Sequence, residues 1–162
     1  MASIQDLMSS IAQMEGFNTS GTIANRNNNP GNLRYSPLQI GQEDTVNGKF
    51  ATFASAQDGW AALQSYIEGR ANTGVSLRDF TYTYAPPSEN DTSNYLNYLT
   101  SMLGVGADSK LSEVINGGSV DTSVGGNSDS FSGDSLYSEG IGSIVGFGVG
   151  MLLVWLVFRG MK

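Results

Sequence analysis

Apolar residues return at helical spacing at the start of the chain: Ile4, Leu7, Met8, Ile11 and Met14 fall within roughly 120° on a wheel of about 100° per residue. Ser3 stands just before them with Asp6 three residues on, a hydroxyl and a carboxylate placed as in a capping box. The same pair recurs as Ser55 with Asp58 and Ser76 with Asp79, so helices are predicted to start at all three serines. The second carries Trp60, Leu63, Tyr66 and Ile67 on one face and ends near Asn72 to Gly74. A fourth, about Thr92 to Leu103, carries Tyr95, Leu96, Leu99, Met102 and Leu103 and stops at Gly104; a short last helix follows Asp108. Between the first two helices, Asn47-Gly48 followed by the alternation from Lys49 to Phe53 predicts one small hairpin or edge ribbon.

The pattern breaks near residue 116. Gly117 to Glu139 is rich in Gly, Ser and Asp, holds no base and has too little apolar content to fold. It is expected to be a flexible tether with a reach on the order of 25–30 Å. From Ile141 to Phe158 there is no charge, and as a helix this run would be roughly 27 Å long, close to the thickness of a bilayer core. A transmembrane helix is the expectation, with the alternative of a buried helix in a soluble core. Arg159 and Lys162 follow at once, which places the C-terminus on the cytoplasmic or equivalent side and the N-terminal domain across the membrane. Gly142, Gly146 and Gly150 align on one face, where they either admit a second helix or are simply small residues tolerated in lipid. The expected division is therefore 1–116 folded domain, 117–139 linker and 140–162 transmembrane helix with a short basic tail.

Composition narrows the chemistry. The 162 residues include no cysteine and no histidine, which removes disulfides, thiol catalysis, serine-histidine triads and the usual metal ligands. Acid-base chemistry must run on carboxylates, and no metal or cofactor is expected. A net charge of −7 argues against a nucleic-acid partner, which demands clustered Lys and Arg.

One carboxylate is out of place. Glu15 falls inside the apolar arc of the first helix and directly precedes Gly16, a good helix stop. Apolar surroundings and the negative end of the helix dipole both disfavour its ionised form, and an acid kept protonated can donate to a leaving glycosidic oxygen. The alternative is that the helix frays at Met14 and Glu15 turns to water.

Three segments, Ile11-Ala-Gln-Met-Glu15-Gly-Phe, Arg26-Asn-Asn-Asn-Pro-Gly-Asn-Leu-Arg34 and Tyr84-Ala-Pro-Pro-Ser-Glu-Asn-Asp-Thr92 with Tyr95, together resemble bacteriophage virion-associated domains of the lytic transglycosylase and goose-type lysozyme superfamily. The likeness covers about residues 5 to 105. It implies a mainly α, lysozyme-like domain with a small β ribbon, and a catalytic acid at Glu15 that ends a helix before Gly and an aromatic. It also implies that Gly31-Asn32-Leu33-Arg34 lines the cleft and that a tyrosine, Tyr84 being the candidate, faces the acid. Ser20, Asn29, Asn32, Arg34, Tyr84 and Tyr95 are the expected substrate-binding residues, although Asn29-Pro30-Gly31-Asn32 is also ordinary turn chemistry. The family's Gly-Leu-Met-Gln is absent, and a Pro-Pro turn follows Tyr84.

The implied function is cleavage of the bond between N-acetylmuramic acid and N-acetylglucosamine in peptidoglycan, by a membrane-anchored phage virion protein that opens the wall during genome entry. The expected location is the internal membrane of a virion, or else a bacterial inner membrane with the domain on the periplasmic side. Glu43 and Asp44 precede the ribbon where a lysozyme places its second acid, but adjacent acids before an Asn-Gly turn also suit a solvated hairpin. One-acid, transglycosylase chemistry is the expectation. The alternatives are a lysozyme-type hydrolase, a host cell-envelope enzyme and an inactive structural module of the virion.

Overall fold

The computed structural model describes residues 2–117. Eight elements follow in order: α1 (Ile4–Met14), α2 (Ile23–Arg26), β1 (Gly41–Thr45), β2 (Gly48–Thr52), α3 (Ala56–Ala71), α4 (Leu77–Tyr84), α5 (Thr92–Leu103) and α6 (Leu111–Ile115). The helix starts are local events. The hydroxyls of Ser3, Ser55 and Ser76 accept the backbone N–H of Asp6, Asp58 and Asp79, satisfying donors that have no partner within the helix. At Ser3 the box closes in both directions, with the Ser3 N–H donating to the Asp6 carboxylate at 2.9 Å. Asp91 caps α5, and Gly104 ends it in the left-handed conformation at φ 63°.

The apolar stripes meet in one core. Leu7 and Ile11 of α1, Leu63 and Ile67 of α3, Phe80 of α4 and Leu99 of α5 are all fully buried. α1 packs on α3, α5 and α6, which fixes where its C-terminal end points. The strands pair antiparallel with Thr45 opposite Gly48, so Val46-Asn47 is the two-residue loop, one position earlier than the expected Asn47-Gly48. An asparagine-rich segment before the ribbon holds its far edge: Ala51 donates to the Leu33 carbonyl at 2.8 Å and Phe53 to that of Asn27 at 3.0 Å. Gly59 of α3 lies against this segment so closely that a Cβ would overlap the Asn28 carbonyl.

The expected fold class needs correction. In place of the expected mainly α, lysozyme-like domain ending in a transmembrane helix, the described residues are partly helical, at 48%, with one two-stranded sheet and the remainder in turns and loops. The helices are short because Gly, Pro and Asn interrupt the apolar pattern every few turns. Among the described residues no helix is long and apolar enough to cross a membrane. The longest, α3, has 16 residues and carries Asp58, Glu68 and Arg70. Residues 141–158, with Gly142, Gly146 and Gly150, and the linker beyond residue 117 lie outside the described residues.

Candidate functional site

Glu15 owes its direction to the way α1 stops. It is the C-cap, at φ −77° and ψ −6°, and Gly16 follows at φ +72°. Phe17 donates back to the Ala12 carbonyl at 2.9 Å and Gly16 to that of Gln13 at 3.1 Å, the paired bonds of a Schellman stop. A side chain at position 16 would be strained by this φ and would meet Thr22 Cγ2 at 3.3 Å. The reversal leaves Glu15 buried, at 7% exposure, at the negative end of the α1 dipole.

Two neutral donors hold its carboxylate. The Tyr95 hydroxyl donates to Oε1 at 3.2 Å and the Asn32 amide Nδ2 to Oε2 at 3.2 Å. Burial pushes the Tyr95 hydroxyl well above the usual phenol range, and the adjacent Glu15 charge pushes it further. Tyr95 therefore keeps its proton and remains a donor. Its ring is met edge-on by Tyr84 at 6.2 Å between centroids, and Tyr84 in turn stacks on Phe80 at 5.5 Å.

The turn that presents Asn32 is built from inside. Asn29 is fully buried; its Nδ2 donates to the carbonyls of Leu33 and Ala51, both at 2.9 Å, and its Oδ1 accepts from Leu33 N–H at 2.8 Å. Asn32 donates its own N–H to the Asn29 carbonyl at 2.9 Å and sits at φ 46°, a left-handed position that asparagine tolerates better than most residues. Between them, the Gly31 carbonyl accepts from the Tyr84 hydroxyl. A Cβ on Gly31 would stand 2.7 Å from Leu63 Cδ1 and 3.1 Å from that hydroxyl, so any larger residue would have to displace the Leu63 side chain.

Of the residues expected to bind substrate, the structure thus brings Asn32 and Tyr95 onto Glu15 itself. Tyr84, the expected partner across the cleft, anchors the turn and backs Tyr95. Asn29 is turned entirely inward, with both ends of its amide engaged by the backbone. Arg34 is half-exposed, over the Phe50 ring at 5.1 Å, with its guanidinium donating to the Asn47 carbonyl at 3.0 Å and paired with Glu89 at 2.5 Å. Ser20 is exposed in the turn between α1 and α2.

Four other carboxylates near the cleft segments have tasks of their own. Glu43 is gripped by the Arg26 guanidinium, whose Nε donates to its two oxygens at 3.0 and 2.9 Å, and Arg26 holds it below the usual carboxylate range. Asp44 lies 3.6 Å from Lys49, Glu89 pairs with Arg34, and Asp91 caps α5. Among the described residues no group of acids is placed to hold a metal ion. The Phe17–Trp60 pair, edge-to-face at 5.5 Å just beyond Gly16, was not singled out in the sequence. Trp60 falls on a helical stripe there and signals only core.

No family model matches the chain, and no curated protein matches it. Among solved structures, a chain of a type VI secretion system effector-immunity complex from Pseudomonas protegens is similar at 20% identity, over 61% of this chain and 75% of that one, with a TM-score of 0.45. A likeness of that extent carries no argument about activity.

Proposed function

We propose that the protein is a peptidoglycan lytic transglycosylase with Glu15 as its acid. The observation that carries this reading is a carboxyl group buried at a helix C-terminus and held at both oxygens by neutral donors, Tyr95 and Asn32. In the first step protonated Glu15 gives its proton to the oxygen between N-acetylmuramic acid and N-acetylglucosamine, and the bond from that oxygen to C1 breaks. The resulting carboxylate then takes the proton of the muramyl C6 hydroxyl as its oxygen bonds to C1, which closes a 1,6-anhydro ring and restores the acid. Tyr95 and Asn32 stabilise the carboxylate between the two steps.

A hydrolase would need a second carboxylate about 5–9.5 Å from the acid to activate water or to form a glycosyl intermediate. The engagement of Glu43, Asp44, Glu89 and Asp91 in ion pairs and a cap favours the substrate's own hydroxyl in that role. The motif resemblance adds peptidoglycan as the substrate and a phage particle as the setting.

The test is digestion of purified cell walls by the full chain, followed by mass spectrometry of the muropeptides. The expected products end in 1,6-anhydro-N-acetylmuramic acid, lighter by one water than hydrolytic products and without a reducing end. Predominantly reducible ends mean a hydrolase, and no release of muropeptides overturns the enzymatic reading.

A further inference from the structure

The two buried asparagines of the turn differ in one respect. Asn29 uses its amide fully, with two bonds from Nδ2 and one to Oδ1, as a structural asparagine should. Asn32 is also buried, at 9% exposure, yet only its Nδ2 is engaged; its Oδ1 is buried with no hydrogen-bond partner among the described residues. The half that is engaged faces Glu15, and the backbone beneath is rigid: Asn32 N–H is bound to Asn29, and the Gly31 carbonyl to Tyr84. The side-chain torsion is the remaining freedom.

An amide is one of the few side-chain groups that can serve a carboxylate and a carboxylic acid equally well. Its NH2 donates to the former, and after a half-turn its carbonyl oxygen accepts from the latter. We propose that Asn32 is a two-way partner of Glu15, donating through Nδ2 when Glu15 is ionised and accepting through Oδ1 when Glu15 carries its proton. The unpartnered Oδ1 is the idle half of this exchange. This deepens the reading of Glu15 as an acid that becomes a base within one cycle, and rests on it: a positioning residue that bonded one form only would bias Glu15 toward that form.

The titratable groups around Glu15 do not compete for this role. Tyr95 of α5 stays protonated and donates to the other oxygen, with Tyr84 of α4 edge-on behind it and Tyr98 one turn along α5. The nearest cation along the turn, Arg34, is committed to Glu89 and the Asn47 carbonyl.

Nuclear magnetic resonance on the isotopically labelled full chain tests the exchange without reference to activity. Through a pH titration, the Glu15 side-chain carbon reports protonation and the Overhauser contact from the Asn32 NH2 to the Glu15 side chain reports amide orientation. The contact is expected above the Glu15 midpoint and lost below it, while contacts between Asn32 and Asn29 backbone protons persist. A contact that survives across the midpoint overturns the proposal, because the amide is then a fixed donor.

Two variants add an independent reading. Asn32→Ser keeps a group that donates and accepts, whereas Asn32→Leu keeps neither. For a two-way partner the Glu15 midpoint in the Leu variant stays near that of the parent; loss of a fixed donor raises it by about one unit or more. Wall clearing should fall in Asn32→Leu and be partly rescued in Asn32→Ser. If Glu15→Gln clears walls like the parent, the enzymatic reading fails, and the titration still decides what Asn32 does.

Discussion

Replacing Asn29 by alanine separates a structural asparagine from a substrate-binding one. In the structure its amide makes three bonds to the backbone at full burial. Removing it strands the Leu33 N–H and the Ala51 carbonyl, whereas the Leu33 carbonyl keeps the Ala51 N–H at 2.8 Å. Two buried polar groups without partners cost about 1–3 kcal/mol each, so a loss of about 3–4 kcal/mol is expected. That is a large fraction of the roughly 5–15 kcal/mol that keeps a domain folded. With a urea dependence of about 2 kcal/mol per molar, the midpoint should drop by about 1.5–2 M when unfolding is followed by far-ultraviolet circular dichroism. Wall clearing should fall only in proportion to the unfolded fraction. An Asn29→Ala variant with an unchanged urea midpoint and lost clearing would refute this account and return Asn29 to the substrate.

Glu15→Gln keeps the shape of the side chain but has no transferable proton, so turbidity clearing of cell walls should fall by about 10²–10⁴ with the fold intact; clearing at the parent rate makes Glu15 structural. Gly16→Ala places a Cβ at φ +72° and 3.3 Å from Thr22 Cγ2, and should cost about 1–2 kcal/mol in urea unfolding while turning Glu15 away from Tyr95. Gly59→Ala should cost about 3 kcal/mol, since the Asn28 backbone carbonyl occupies the space a methyl needs; an unchanged melting temperature contradicts that packing. Acid stability carries a sign: the Glu43 carboxylate is depressed in the folded state by Arg26, so its contribution is present above the unfolded value near pH 4 and is lost as pH falls through the lower folded value. The pair is near the surface, so Glu43→Gln should flatten the stability profile below about pH 4 by less than about 1 kcal/mol, and more weakly in high salt.

The local grammar of the chain was legible in the sequence. Caps act within four residues, so Ser3, Ser55 and Ser76 with their aspartates start helices wherever those helices later pack, and Gly104 ends one for reasons internal to its own turn. The same locality made Glu15 conspicuous, because its angle on the helix and the stop at Gly16 are both properties of one short segment. Partners were another matter. Tyr95 reaches Glu15 across 80 positions and Arg34 reaches Glu89 across 55, distances over which only the docking of α1, α5 and the asparagine turn decides who meets whom. Tyr84 and Tyr95 have the same chemistry and both lie on helices, so residue type could not assign one to the acid and the other to the Gly31 carbonyl. Asn29 and Asn32 are likewise the same residue three positions apart in one turn, and the left-handed backbone at Asn32 sends one amide to Glu15 while the other closes on the backbone. The hairpin loop moved by one residue from its Asn-Gly signal because its register answers to contacts beyond the ribbon, with Ala51 tied to Leu33 and Asn29. Short-range bonding is written into neighbouring residues; the pairing of one side chain with another far along the chain is settled by packing, since many partners of equal chemistry are available until the core selects one.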